Sequence, residues 1–149
     1  MISFQRELLC EVVEEVQPLL ARHYLELTHR KDVVKLAPRW PQYAAMEQAG
    51  CFVVLTARDD GKLAGYNAFF VQPHMHYEGL STATNDVFWL EPEYRRGVTA
   101  LRFLRFCEDH LKAQGVMKLV YHCKLSNNFA PILHRLGFAD EEVMCGKIL

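Results

Sequence analysis

The chain predicts an α+β or α/β fold: a mixed central sheet flanked by helices. Three observations predict it. Apolar residues recur at 3- and 4-residue steps over the first thirty positions, the period of a helix face. Three β-rich runs then follow in succession, the first two joined by Asp59-Asp60-Gly61-Lys62, and Asp-Gly is a favoured two-residue hairpin turn. From there to the C-terminus helical and strand patterns alternate, the order expected of helices layered on a sheet.

Taken in order, Phe4, Leu8, Leu9, Val12, Val13 and Val16 predict an amphipathic helix over 3–17 with Ser3 as its N-cap. Pro18 is expected to break or kink it, with a second helix through Ala21 to about His29. Residues 30–42 hold Pro38 and Pro41 and read as a loop, at whose edge Trp40 and Tyr43 begin a short helix ending near Gly50 and anchor the N-terminal helices to the sheet. Strands are expected over 51–57, 63–71 and 82–90, the last two separated by a polar turn containing His74, His76, Glu78 and Gly79. Gly97 to Gln114 is the best helix, Ala100, Leu104, Cys107 and Leu111 opposing Arg102, Arg105, Asp109 and Lys112, with Gly115 as its stop. A short apolar strand over 116–124, a helix from Ser126 to Leu136 capped by Ser126 or Asn127, and a last strand or two short pieces over 138–149 complete the chain.

Composition bounds the function. At 149 residues the chain is expected to form one domain, 1–149, with a real core. Half the residues are hydrophobic and 23% are charged, and the formal net charge is -1, so neither a nucleic-acid-binding surface nor a membrane span is indicated. Five scattered cysteines without a CxxC spacing fit reduced thiols in a cytoplasmic compartment. No secretory leader is read in an N-terminus that carries Glu7, Glu11, Glu14 and Glu15.

The run from Phe88 to Leu101 holds the chemistry. It reads as a strand end (Phe88-Trp89-Leu90), a Pro92 turn, a basic loop (Arg95-Arg96-Gly97) and a helix start through Val98, Thr99 and Ala100. A helix N-terminus exposes unpaired N–H groups and partial positive charge, which suits a phosphate. Arg95 and Arg96 add forked donors, and Gly97 and Ala100 leave the backbone approachable. The same pattern is also that of an ordinary strand–turn–helix connection.

This segment resembles the acyl-CoA-binding motif of the GNAT superfamily of N-acetyltransferases, usually Arg or Gln, two residues, Gly, one residue, then Gly or Ala. Arg95 stands at the first position and Ala100 at the last; Val98 replaces the first Gly, and Gly97 lies one place early. A second stretch, Ser126-Asn127 through Leu136-Gly137-Phe138, resembles the family's last helix. Together with His74-x-His76-Tyr77, the pattern looks most like GNAT-like proteins of bacteriophages and prophages.

The resemblance covers roughly residues 5–148 and implies a GNAT-like fold. It implies acetyl-CoA as co-substrate, with transfer of its acetyl group to a primary amine, of a small molecule or peptide, by direct attack in a ternary complex. Phe88, Trp89 and Leu90 would meet the pantetheine arm, 95–100 the pyrophosphate, and Ser126 and Asn127 the arm's amides. Leu133 stands where many members place the Tyr that protonates the leaving thiolate; Tyr121 and His134 are then the candidates, though His134 points about 100° away from 133 on a helix.

Asp86, in the strand before the loop, is read either as the base that takes the amine's proton or as a carboxylate that ties a turn, with Glu78 a weaker base. His74, His76 and Tyr77 are expected at the acceptor groove, and no metal site is expected because the two histidines lack a third ligand. Cys123 beside His122 is a conceivable nucleophile pair, but adjacent strand residues face opposite ways. The rival reading is a GNAT-fold protein without activity that acts by binding CoA or another protein; an unrelated phosphate-binding α/β domain is a further alternative. A homodimer paired through a strand at Glu142–Ile148 is also open.

Overall fold

The computed structural model describes residues 1–149. A five-stranded sheet, in the order β1-β2-β3-β4-β5, divides the molecule into two layers. The strands are β1 (Ile2–Glu7), β2 (Phe52–Asp59), β3 (Lys62–Pro73), β4 (Ser81–Leu90) and β5 (Lys118–Val120). The first four form antiparallel neighbours, and β5 lies parallel to β4. Helices α1 (Leu9–Leu27) and α2 (Trp40–Gln48) pack on one face; α3 (Thr99–Ala113) and the single-turn α4 (Ala130–His134) pack on the other.

Alternation along β2 shows how two cores arise from one sheet. Phe52 and Val54 join Val12, Val16, Tyr66 and Ala68 beneath α1. Val53, Leu55 and Ala57 join Phe69, Phe103, Cys107 and Leu111 beneath α3. Successive side chains point to opposite faces, so a run apolar at every position is a strand covered on both sides. Arg58 locks the edge, its guanidinium donating to the carboxylates of Glu7 and Glu15 at 2.8 Å each.

The N-terminus corrects the sequence reading. Residues 2–7 are a strand, not the first turns of a helix. Phe4 satisfies both periods: it lies four residues before Leu8 and two after Ile2, and its pairing opposite Ala57 and stacking on Phe103 at 5.2 Å decide the matter. Ser3 is therefore no cap; the helix starts after Leu8, whose N–H donates to the Glu11 carboxylate at 3.2 Å. Pro18 does not end α1 either, since the helix continues to Leu27. A proline deletes one i→i−4 bond, here outweighed by Val12, Val16 and Leu19, buried on the sheet on both sides of it.

The C-terminal elements are shorter than expected. Gly97 adopts φ +71°, a value no right-handed helix holds, so α3 begins at Thr99. The strand expected over 116–124 is three residues long, and α4 covers 130–134, because Lys124 and Asn127 bridge across a turn and leave Ser126 and Asn127 outside the helix. The N-cap is Phe129, and the Asn128 side chain just before it accepts from the Ala130 N–H at 2.9 Å. Residues 138–149 contain no strand. Val143 and Met144 stay exposed, so pairing of two copies through 142–148 has no strand to rest on. No helix is long and apolar enough to cross a membrane.

Candidate active site: a cleft where two strands part

The site begins with a sheet that stops being a sheet. β5 pairs with β4 only from Thr82 to Thr84. Beyond that point β4 runs on to Leu90 with its outer edge unpaired, leaving backbone donors and acceptors free. Phe129 covers the gap from the far side, its ring 5.2 Å from that of Phe88. A cavity of about 530 Å³ lies here, lined among others by Asp86, Phe88, Trp89, Leu90, Arg95, Ala100 and Asn127.

At its far end the cavity meets the N-terminus of α3. The first bond into the helix runs from the Arg102 N–H to the Val98 carbonyl, so the N–H groups of Thr99, Ala100 and Leu101 lie ahead of the ladder. No side chain caps Val98. Space opposite Gly97 is open, and its left-handed backbone turns the chain into the helix. Such an uncapped terminus fits an anion. Arg96 is exposed and forms no ion pair.

Arg95 is already engaged. Its Nε–H donates to the Leu90 carbonyl at 2.7 Å. Its fork donates to the Glu26 carboxylate at 2.7 and 3.0 Å, and its guanidinium lies 4.4 Å over the Trp89 ring. Glu26 also accepts from Asn127 Nδ2 at 3.2 Å, while His29 and Ser126 meet at 2.9 Å and Lys124 Nζ donates to the Leu27 carbonyl at 2.6 Å. The C-terminal end of α1 is thus strapped across the cleft to the segment after β5.

Asp86 sits at a β-bulge. Ala68 of β3 pairs with Val87 and Phe69 with Asn85, leaving Asp86 as the extra residue of β4. A bulge turns two successive side chains to one face, so Asp86 and Val87 both point under α1. Tyr43 of α2 donates to Asp86 Oδ2 at 3.0 Å. Burial raises the Asp86 carboxyl above its ordinary range, and the Tyr43 hydrogen bond opposes that rise. The Tyr43 hydroxyl is pushed up to about 12, by burial first and then by the Asp86 charge. A carboxylate made more basic by its surroundings is a better proton acceptor than an ordinary one.

Asp86 also marks a junction. A second cavity of about 300 Å³ lies under α1 and α2, and Asp86 and Val87 line both it and the first. His23 lines the larger one, stacked on Trp89 at 5.1 Å with Nδ1 at 3.0 Å from the Tyr66 hydroxyl. Burial, then the charge on Lys124, lowers His23 to about 4, so the ring is neutral at pH 7. Neither His23 nor Glu26 carries a sequence signal; each belongs to the site through partners forty or more residues away.

Other expected residues stand elsewhere. Tyr121 lies against Phe69, Phe129 and Phe138, and its hydroxyl accepts from Asn67 Nδ2 at 3.0 Å. Burial raises it well above the ordinary phenol value, and it lines neither cavity. His134 is exposed and meets Asp140 at 2.9 Å. His74, His76 and Tyr77 stack on one another at the β3–β4 tip, at the opposite end of β4 from the free edge, and line neither cavity; nor does Glu78. Leu133 is buried. Cys123 is raised by burial while His122 lines the larger cavity, so the two do not form an activated thiol pair. No group of three or more His, Cys, Asp or Glu is gathered as metal ligands would be.

With this geometry the chain was compared with known proteins. A family model described as Acetyltransferase (GNAT) family matches residues 13–138. No curated protein sequence matches. Solved structures do, at low identity that speaks to the fold alone. One is a ribosomal-protein-alanine N-acetyltransferase from Brucella melitensis biovar Abortus 2308, 20% identical over 99% of this chain and 98% of that one, TM-score 0.74. Another is an aminoglycoside acetyltransferase from an uncultured soil metagenomic sample, 17% identical over 100% and 98%, TM-score 0.77. A third is a predicted acetyltransferase from Clostridium acetobutylicum solved with acetyl-CoA, 13% identical over 99% and 96%, TM-score 0.70.

Proposed function

This chain belongs to the GNAT family of acetyltransferases, enzymes that use acetyl-CoA, and from that premise we propose that it transfers the acetyl group directly to a primary amine, with Asp86 as the base. One observation carries the proposal: the parting of β4 from β5 ends at the uncapped N-terminus of α3 and begins near a half-buried carboxylate. A thioester arm laid along the free edge of β4 has donors at one end for its phosphates and an acceptor at the other for the amine's proton.

The residues present fit acetyl-CoA. The N–H groups ahead of the α3 ladder would hold the pyrophosphate, with Arg96 as the free cation beside them. The free edge from Phe88 to Leu90 and the side chains of Asn127 and Asn128 would pair with the arm's amides. Acetyl-CoA supplies an acetyl group already activated as a thioester. Asp86 accepts an N–H of the incoming amine and takes its proton, so that nitrogen presents a lone pair to the acetyl carbon. The C–N bond forms as the C–S bond breaks, the sulfur leaves with its electron pair, and the proton that the newly bonded nitrogen sheds passes to that sulfur. Most of the acceleration is then positioning.

Leu133 gives weight to a second reading, in which the protein binds CoA without turnover, because its buried aliphatic side chain has no proton to offer a leaving thiolate. The single-domain organisation, the cytoplasmic location and the likeness to phage proteins belong to the same proposal and rest on the sequence. The first test is thermal unfolding with acetyl-CoA, CoA and ATP. A ligand at one hundred times its Kd stabilises by about 2.7 kcal/mol. A shift with the first two and not with ATP, followed by amine-dependent release of CoA thiol, is the expected result. A shift without turnover on any amine selects the second reading, and no shift at millimolar ligand overturns both.

A further inference from the structure

The second cavity names no substrate by motif, but its walls are chemically one-sided. Fourteen of its eighteen lining residues are hydrophobic, and they include Trp40, Phe52 and Tyr66 from three different elements. Among them Asp86 is the one acid and Lys35 the one base. The Lys35 ammonium is engaged, donating to the Lys31 carbonyl at 2.8 Å. The covering segment between α1 and α2 exposes Val34 and Leu36 at 42% and 40% of their surface, both on the cavity's rim. A polycationic acceptor needs several carboxylates at its mouth; this mouth presents aliphatic side chains. The volume of about 300 Å³ lies at the small end of ligand sites.

Building on the acetyltransferase reading, we infer that the acceptor is a small hydrophobic primary amine, arylalkyl or alkyl, its nitrogen at Asp86 and its apolar body in the cavity under α1 and α2. Asp86 and Val87 share one face because of the bulge, so a single molecule can touch the base and the apolar wall together. Ala68, paired opposite the bulge, forms the floor. The ring of Tyr43 stacks on Phe70 at 6.0 Å and against Phe52 at 4.9 Å, forming one side while its hydroxyl holds the carboxylate.

The test is CoA-thiol release from acetyl-CoA with straight-chain alkylamines of two to eight carbons, phenylalkylamines, spermidine, an aminoglycoside and an alanine-initiated peptide. Each methylene buried is expected to raise kcat/KM about fourfold until the cavity fills, with phenylalkylamines at or near the top. Val34→Glu, on the exposed rim, is expected to lower kcat/KM for the longest amines at least tenfold and for ethylamine by a much smaller factor. Ala68→Leu is expected to shorten the best chain. A rate flat or falling with chain length overturns the inference, as does a preference for spermidine, the aminoglycoside or the peptide, while acetyl transfer stands. No turnover with any acceptor overturns it too, and if acetyl-CoA also fails to shift the unfolding temperature, the acetyltransferase reading falls with it.

Discussion

Tyr43 donates a 3.0 Å hydrogen bond to Asp86 across 43 residues of sequence, from the helix over the apolar cavity to the bulge at its floor. The bond sets the carboxylate's direction and limits how far burial can raise it. With Asp86 as the base, the acid branch of the pH profile is therefore expected to report on two residues.

Asp86→Asn is expected to lower kcat/KM by about 10²- to 10⁴-fold, the usual worth of a positioned base. With Asp86 as the base, the native rate is expected to fall with pH as Asp86 becomes protonated, at a pH above the ordinary carboxylate range, and the variant is expected to lose that branch. Stability moves the other way. A carboxyl with a raised folded-state pKa contributes stability at low pH that is lost as pH rises through that value. The variant is thus expected to melt higher at pH 7, with the gap closing below the ordinary carboxylate range. Calorimetry at several pH values checks the sign.

Tyr43→Phe removes the interaction that opposes the rise. The acid branch is expected to move to higher pH, with little change on the alkaline plateau. An unmoved branch shows that Asp86 is not the group titrating.

The neighbouring arginines are expected to separate. Arg96 is exposed and its side chain makes no hydrogen bond or ion pair, so Arg96→Ala should leave the unfolding temperature alone and weaken CoA binding two- to fivefold, more at low salt. Arg95 holds Glu26, the Leu90 carbonyl and the face of Trp89. Arg95→Ala should therefore destabilise by about 1–2 kcal/mol. Titration calorimetry beside thermal unfolding resolves the two effects.

His23 is neutral in the fold, lowered to about 4 from an ordinary 6.5. The unfolded chain binds a proton there first, so stability present above 6.5 is lost as pH falls toward 4. By pH 4.5 the loss from this one ring is about 2 kcal/mol. Urea titrations of native protein and of His23→Gln, at pH 7 and 4.5, should show a smaller loss in the variant.

Much of the architecture is legible in the chain. The Asp60-Gly61 hairpin, the run 88–101 and the polar stripe of α3 each depend on neighbours in sequence, and local pattern reports such features well. What escaped depends on distant partners. Phe4 fits a helix face and a strand face equally, and only Ala57 and Phe103 distinguish them. Val143, Met144 and Ile148 have a strand's apolar content but join no strand of the sheet. In the site, Asp86 could be singled out by type and position, yet its bulge, its partner Tyr43 and the cavity it joins emerge only when α2 is laid over β4. Arg95 looks like a free phosphate ligand until Glu26, 69 residues earlier, comes alongside.

The bulge also sets a parity. Before it, odd-numbered residues of β4 such as Ala83 and Asn85 face α3; after it, even-numbered ones such as Phe88 and Leu90 do. If the same residues ran in strict alternation with no bulge, Phe88 and Trp89 would exchange sides, sending the indole toward Phe103 and the phenyl toward His23. Insertions and deletions in this strand are thus not equivalent to substitutions. A two-residue change preserves the phase of everything downstream, and a one-residue change inverts it unless it makes or removes a bulge, so the spacing between Asp86 and the loop before α3 is governed by odd and even as much as by distance.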